Sequence, residues 1–331
     1  MKIFYHIDQD GKCAAYCVRK YRVETGMNKD EIGYYPMNYG WEFPFEDIYR
    51  NEEIYIVDFS IEPEDMDKLL EITQNVVWID HHITAINKYA NYQKNVLGIR
   101  NTKYAGCKLT EFYMSYISTT RGRDTDRFFK LSESDNRNEF TDSHIDDIME
   151  MQKMFPGYPT IVDYVQDWDL WKFNFPNTKT LHMGIEIQDN EPSSMLWDIL
   201  TSNSNEVEKM IDIGEAIIKY QEQAGATLCK SYGFVCEFEG YKAYALNISS
   251  AVANSDWFDS VDKTDYDILI MFTYNGIDWS YGLRSIDKKC DVSVIAEKYG
   301  GGGHPGASGF HHTDLLLKQL EDENGARNNE R

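Results

Sequence analysis

Positive charge is what this sequence has least of. Its 331 residues carry 33 lysines and arginines against 55 aspartates and glutamates, a formal net charge of −22. A surface of that sign does not hold long nucleic acid by neutralising phosphates, and no basic run supplies a local exception. Long duplexes are therefore excluded as partners, and any nucleotide ligand must be short or held in a local basic or metal-bearing pocket. No apolar run reaches the length of a membrane span, so no membrane partner is expected. A signal-peptide pattern is also missing, because Met1 to Tyr5 runs straight into His6, itself a candidate ligand. The six cysteines (Cys13, Cys17, Cys107, Cys229, Cys236 and Cys290) contain no CxxC pair. They read as reduced thiols of a cytoplasmic protein, with Cys13 and Cys17 four apart on one face of a helix and turned to the core.

What is present begins with Val76-Val77-Trp78-Ile79-Asp80-His81-His82. Four apolar residues of this kind make a strand buried on both faces. The strand ends in an acid and two imidazoles, placed where open α/β sheets bind ligands. Two other segments end alike. Lys2 to Tyr5 runs into His6-Ile7-Asp8-Gln9-Asp10-Gly11 and then a helix from about Lys12 to Tyr21. Ile54 to Val57 runs into Asp58-Phe59-Ser60, followed by a helix opened by Pro63. A calcium loop starting at His6 would need a glutamate at its twelfth position, where Cys17 stands, so that reading fails. Right-handed crossovers bring such strand ends to one edge of a parallel sheet. Asp58 alone would be a solvated acid, but beside the other two ends it becomes a candidate ligand.

Further along, Gly106 leads into a helix reaching about Ser118, and Thr119 to Asp147 reads as a polar surface insertion. An apolar stretch from Ile161 continues into Asp167-Trp168-Asp169-Leu170-Trp171. Pro192 to Asn205 is turn-rich and marks the end of a first domain, and Val207 to about Leu228 has the apolar spacing of a connecting helix. From residue 231 short strands predominate. A helix from Val292 to Tyr299 then precedes Gly300-Gly301-Gly302-Gly303-His304-Pro305-Gly306-Ala307-Ser308-Gly309. Such a turn lets backbone N–H groups close on an anion, and Arg284 would add a bidentate phosphate contact. The expected organisation is an α/β domain over 1–200, a connecting helix over 201–230, a smaller α+β domain over 231–318 and a frayed tail from 319.

Together His6, Asp8, Asp10, Asp58, His81 and Asp169 supply imidazole and carboxylate ligands for two divalent ions. Manganese suits that mixed set, with magnesium, cobalt and iron also compatible. Two such ions can share a hydroxide that attacks phosphorus, so no serine or cysteine nucleophile is needed.

His6-x-Asp8-x-Asp10-Gly11, Asp58, Asp80-His81-His82 and Gly301-Gly302-Gly303-His304-x-x-Ala307-Ser308-Gly309 resemble the motifs of the DHH phosphoesterases with a C-terminal DHHA1 domain. The similarity is greatest to the small bacterial oligoribonucleases of the nanoRNase B kind. It extends to Ile79-Asp80-His81-His82-x-Thr84-Ala85, to Asp291-Val292-Ser293-x-Ile295-Ala296-x-x-Tyr299-Gly300 and to Leu283-Arg284. The resemblance implies a parallel-sheet domain facing a smaller α+β domain across a cleft. It implies His6 and Asp8 on one manganese, Asp10, His81 and a fourth-motif acid on the other, and Asp58 bridging. For that acid Asp167 and Asp169 compete, and the pattern of an acid two residues before Trp171 favours Asp169. Asp80 would orient His81, His82 would face the scissile phosphate, and Arg284 with His304 would grip the far end of the substrate. The expected reaction is hydrolysis of very short RNA or DNA to monophosphates. Hydrolysis of 3′-phosphoadenosine 5′-phosphate or of dinucleotides is an alternative, and a silent nucleotide-binding module is another. Monomer and homodimer are equally compatible with the sequence.

Overall fold

The computed structural model describes residues 1–120, 159–318 and 320, so residues 121–147 of the expected insertion and the tail from 321 lie outside the described residues. The chain forms two compact units, Met1–Glu215 and Ala216–Arg331.

The first unit is built on a parallel sheet of β1 (Lys2–His6), β2 (Gly33–Met37), β3 (Ile54–Val57) and β4 (Val76–Ile79), in the order β2-β1-β3-β4. β3 and β4 are buried at every residue, as their unbroken apolar runs require. Successive side chains feed opposite faces. Ile3, Tyr5, Tyr55, Val57, Val77 and Ile79 enter one core with helices α1 (Gln9–Glu24) and α4 (Gly106–Thr120). Phe4, Ile54, Ile56, Val76 and Trp78 enter the other, with α2 (Pro63–Ile72). Cys13, Cys17 and Cys107 are free thiols packed in the first of these cores.

Register decides where the polar strand ends fall. Tyr5 pairs with Val57 and Val57 with Ile79, so His6, Asp58 and Asp80 follow in one row at the carboxyl edge. α1 opens directly from that row, its N-cap Asp8 accepting a hydrogen bond from the Gly11 N–H at 2.9 Å. A short helix, α3 (Ile83–Lys88), starts after His82.

Several elements differ from the sequence expectation, three of them near the candidate site. β2 was not anticipated. Pro36 within it lacks an N–H, which an edge strand tolerates, and β2 is an edge. The stretch from Ile161 is a helix, α5 (Ile161–Asp169), with a capping box between Thr160 and Asp163, so Asp169 sits at a helix end. After α6 (Thr178–Glu186), the segment read as turns contains α7 (Met195–Ser202), anchored by the buried Trp197.

Helix α8 (Ser204–Tyr232) carries the chain from one unit into the next. The second unit is a six-stranded sheet of β5 (Gly233–Phe238), β6 (Tyr241–Asn247), β7 (Ile268–Tyr274), β8 (Trp279–Ser285), β9 (Gly302–His304) and β10 (Ala307–His312), with helix α9 (Val292–Lys298). Its order is β5-β6-β7-β8-β10-β9, antiparallel except for β6 beside β7. The mixed α/β architecture expected from sequence is the observed one. Among the described residues no helix is long and apolar enough to cross a membrane.

Candidate metal centre

Asp58 is the residue around which the strand ends converge. It is 1% exposed and takes a left-handed conformation at φ 53°. Aspartate tolerates that region better than most residues, and such strain concentrates at functional sites. Among the described residues, neither of its carboxylate oxygens has a hydrogen-bond partner. Its Oδ1 lies 3.1 Å from His81 Nε2 and its Oδ2 lies 3.9 Å from His6 Nδ1.

Two groups of ligand-type atoms flank it. On one side His6 Nδ1 meets Asp8 Oδ2 at 2.6 Å. On the other, His81 Nε2 lies 3.6 Å from Asp169 Oδ2 and 3.8 Å from Asp10 Oδ2. His6, Asp8 and Asp58 could hold one cation, and Asp10, His81 and Asp169 another. Asp58 with His81 and His82 forms a third overlapping set.

The electrostatics fit a cation. Burial, reinforced by the charges of Asp10, Asp8 and Asp169, holds the Asp58 carboxyl well above the usual carboxylate range. Burial, with Asp10 and Asp8, does the same to Asp169, whose Oδ2 is also buried without a partner among the described residues. Burial lowers His81, keeping it the neutral imidazole that ligates metals. Buried carboxylates without donors are costly unless protonated or neutralised by a positive charge. The residues present therefore fit divalent cations, and oxygen with imidazole donors suits manganese or magnesium better than a thiolate-seeking ion.

The neighbours of these residues are also arranged for the site. Asp10 is held by the opening turn of α4, its oxygens accepting from the Gly106 and Cys107 N–H groups at 2.7 and 2.9 Å. A Cβ on Gly106 would lie 2.5 Å from the Asp58 Cβ, so only glycine lets α4 come this close. Asp80 is fully buried and its Oδ1 accepts from the His81 and His82 N–H groups and from His82 Nδ1, the last at 2.7 Å. Asp80 thus orients the ring of His82, whereas the resemblance implied His81. Burial alone would lower His82, but the hydrogen bond and charge of Asp80 raise it on balance.

The two acids of the Asp167–Asp169 pair part company. Asp169 joins the cluster. Asp167 is buried elsewhere, accepting from the Asn174 and Phe175 N–H groups and from the Thr178 hydroxyl at 2.5 Å. Tyr39, beyond β2, escaped the sequence reading. Its ring lies 5.7 Å from that of His6 and 5.8 Å from that of His82. Burial and the charges of Asp80 and Asp58 push its phenol up. Its only sequence signal was its place just past an unrecognised strand.

In the second unit the glycine segment is an edge hairpin rather than an open anion loop. Gly302 pairs with Gly309, Gly303 with Ser308 and His304 with Ala307, and the Gly301 N–H donates to the Ala296 carbonyl. The Ser308 hydroxyl donates to the Val292 carbonyl, a structural role. Arg284 pairs with Ala307, which pairs with His304. The arginine and histidine therefore share one sheet face about 10 Å apart, with only a methyl group between. Arg284 is half-buried, and no carboxylate pairs with it among the described residues.

A solved DHH domain, from a member of the s1p family of ribosomal proteins, has the same fold at a TM-score of 0.52 and 14% identity, covering 93% of this chain and 81% of that one. RecJ from Thermus thermophilus, solved with Mn²⁺, is similar at a TM-score of 0.47 and 13% identity, over 95% of this chain and 49% of that one. In sequence, the uncharacterised protein R106 of Acanthamoeba polyphaga mimivirus is 23% identical over 321 residues. The match covers 93% of this chain, which spans 66% of that protein's length. No family model matches the chain.

Proposed function

We propose that this chain is a two-metal phosphodiesterase that hydrolyses very short oligonucleotides to nucleoside monophosphates. The observation that carries the reading is Asp58, whose two buried oxygens lie among His6, Asp8, Asp10, His81 and Asp169 and have no hydrogen-bond partner among the described residues. His6 and Asp8 would hold one ion, Asp10, His81 and Asp169 the second, and Asp58 both. Such ions supply a nucleophile from water at neutral pH and neutralise charge on the phosphoryl group. The remaining steps belong to the protein's own residues. Asp80 accepts from His82 Nδ1 and its charge favours the imidazolium form, in which Nε2 also carries a proton and can donate to a phosphoryl oxygen. Tyr39 packs beside the rings of His6 and His82 and would help hold them in place. In the second unit, the half-buried Arg284 guanidinium and His304 are candidate contacts for an anionic group of the substrate.

Short substrates are favoured by the net charge of −22, since a long polyanion would meet a repelling surface beyond the cluster. Turnover with Mn²⁺ on a panel of RNA and DNA, with 3′-phosphoadenosine 5′-phosphate and cyclic dinucleotides included, tests the reading. Activity should peak at roughly two to five nucleotides and release monophosphates. Activity confined to the bisphosphate or cyclic compounds would move the chain to small-nucleotide chemistry. No turnover of any phosphodiester would sink the proposal.

A further inference from the structure

The loop that follows Asp169 exposes two large aromatic side chains. Trp171 is 57% exposed and Phe173 39%. Both adopt left-handed backbone conformations, φ 53° and 49°, which bulky residues avoid. The strained loop is held from beneath by the buried Asp167. Its carboxylate takes the Asn174 and Phe175 N–H groups and the Thr178 hydroxyl, and its carbonyl takes the Lys172 N–H. A buried acid spent on fixing a loop whose tip is apolar calls for a reason at the tip.

The rings form one cluster, in which Trp171 and Phe173 meet edge to face at 76°. The Trp171 and Phe173 centroids are 4.7 Å apart, and both meet Trp168 edge-on, at 5.0 and 5.8 Å. Trp168 in turn stacks flat on His182 at 3.8 Å, and His182 is hydrogen-bonded through Nδ1 to Gln9, which lies between Asp8 and Asp10. The aromatic group is thus tied at both ends to candidate metal ligands, through Asp169 in sequence and through Gln9 in space. Lys172, which separates Trp171 and Phe173 in sequence, is exposed and has no carboxylate partner among the described residues.

We infer that the exposed Trp171 ring, braced edge-on by Phe173, is a stacking platform for a nucleobase of the substrate whose phosphate sits at the strand-end cluster. The inference rests on the proposed phosphodiesterase reading and adds the element that recognises the base. Stacking suits this role because every base has an apolar face, so the platform would grip bases without selecting a sequence. Lys172 would meet a phosphate of the same nucleotide.

The test compares adenosine 5′-monophosphate with ribose 5-phosphate by calorimetry in the presence of Mn²⁺, on the full chain. The wild-type protein should bind the nucleotide at least about ten-fold more tightly than the sugar phosphate, the strength of one base–aromatic stack. Trp171→Asn removes the ring while keeping a residue that accepts the left-handed backbone, and should cut that preference to near unity. Phe173→Ala should reduce it, and Trp171→Phe should restore part of it. Equal binding of the two ligands by the wild type, or a preference that survives Trp171→Asn and Phe173→Ala, overturns the platform. Turnover of a 5′-phosphorylated dinucleotide and its abasic counterpart separates the two ideas. If the wild type hydrolyses neither, the phosphodiesterase reading fails while the binding ratio still decides the platform.

Discussion

Asp58 is a buried carboxylate facing other carboxylates, and that arrangement has a thermodynamic signature. Without a cation, burial and the charges of Asp10 and Asp8 oppose its ionisation, so the cluster destabilises the fold. An ion that binds only the folded state adds about 2.7 kcal/mol at a hundred-fold excess over its Kd. Mn²⁺ should therefore raise the melting temperature of the wild type. In Asp58→Asn that rise should vanish, and the EDTA-treated variant should melt above the EDTA-treated wild type. Turnover should fall by more than the roughly 10–100-fold that loss of an outer-shell partner costs. Equal Mn²⁺-induced shifts in both proteins would remove Asp58 from the ligand set. His182 gives a second test at this scale. Burial lowers its pKa to about 4, below the ordinary histidine value of about 6.5. Because the folded state resists protonation, the stability His182 contributes is fully present above about pH 6.5 and lost as pH falls towards about 4. Between pH 7.5 and 5 the wild type should lose about 2 kcal/mol more than His182→Gln in urea unfolding with EDTA present. Parallel losses in the two proteins would contradict a buried neutral imidazole.

Elements place these side chains, and the close contact between α4 and the turn after β3 is one case. The Cβ of Gly106→Ala would meet the Asp58 Cβ at 2.5 Å and Oδ1 at 2.6 Å. Helix propensity alone favours alanine over glycine, by up to about 1 kcal/mol in a helix interior. Here the steric term should win, displacing Asp58 and freeing Asp10 from the first turn of α4. Mn²⁺ affinity measured by calorimetry should drop by roughly 10–100-fold with the far-ultraviolet circular dichroism unchanged. Retained affinity would mean that Asp58 does not need this close approach. The sequence shows that a helix follows Gly106 but not that its first turn packs against Asp58. Ile54–Val57 and Val76–Ile79 were legible because strands buried on both faces are unbroken apolar runs, and their polar ends came with them. β2 was hidden because Tyr34, Tyr35 and Pro36 do not resemble a buried strand, and Tyr39 was lost with it. α5 was ambiguous because a short apolar run fits strand or helix, and its capping box becomes visible only once Thr160 is known to precede a helix. The partners of Asp80 and Asp167 depend on hydrogen bonds to chain neighbours, which spacing does not encode.

For the whole molecule, the proposed function ties the net charge of −22 to a limit on substrate length that no single residue carries. A dinucleotide could place its few phosphates at the cation cluster, where opposite charge compensates them. Each further nucleotide adds a phosphate that must lie over an acidic surface without compensation. The repulsion is screened by salt, with a Debye length falling from about 30 Å at 0.01 M to about 10 Å at 0.1 M. Catalytic efficiency should therefore decline with oligonucleotide length at low ionic strength, and the decline should become shallower as salt rises. A nuclease that gains affinity by counterion release behaves the opposite way, since salt weakens its hold on longer strands most. Measuring kcat/KM for a length series at the two salt concentrations distinguishes these cases. A decline that salt leaves untouched would assign the length limit to a steric wall rather than to charge. Efficiency that rises with length at low salt would rule out short oligonucleotides as the preferred substrate while leaving the metal cluster, and the chemistry proposed for it, in place.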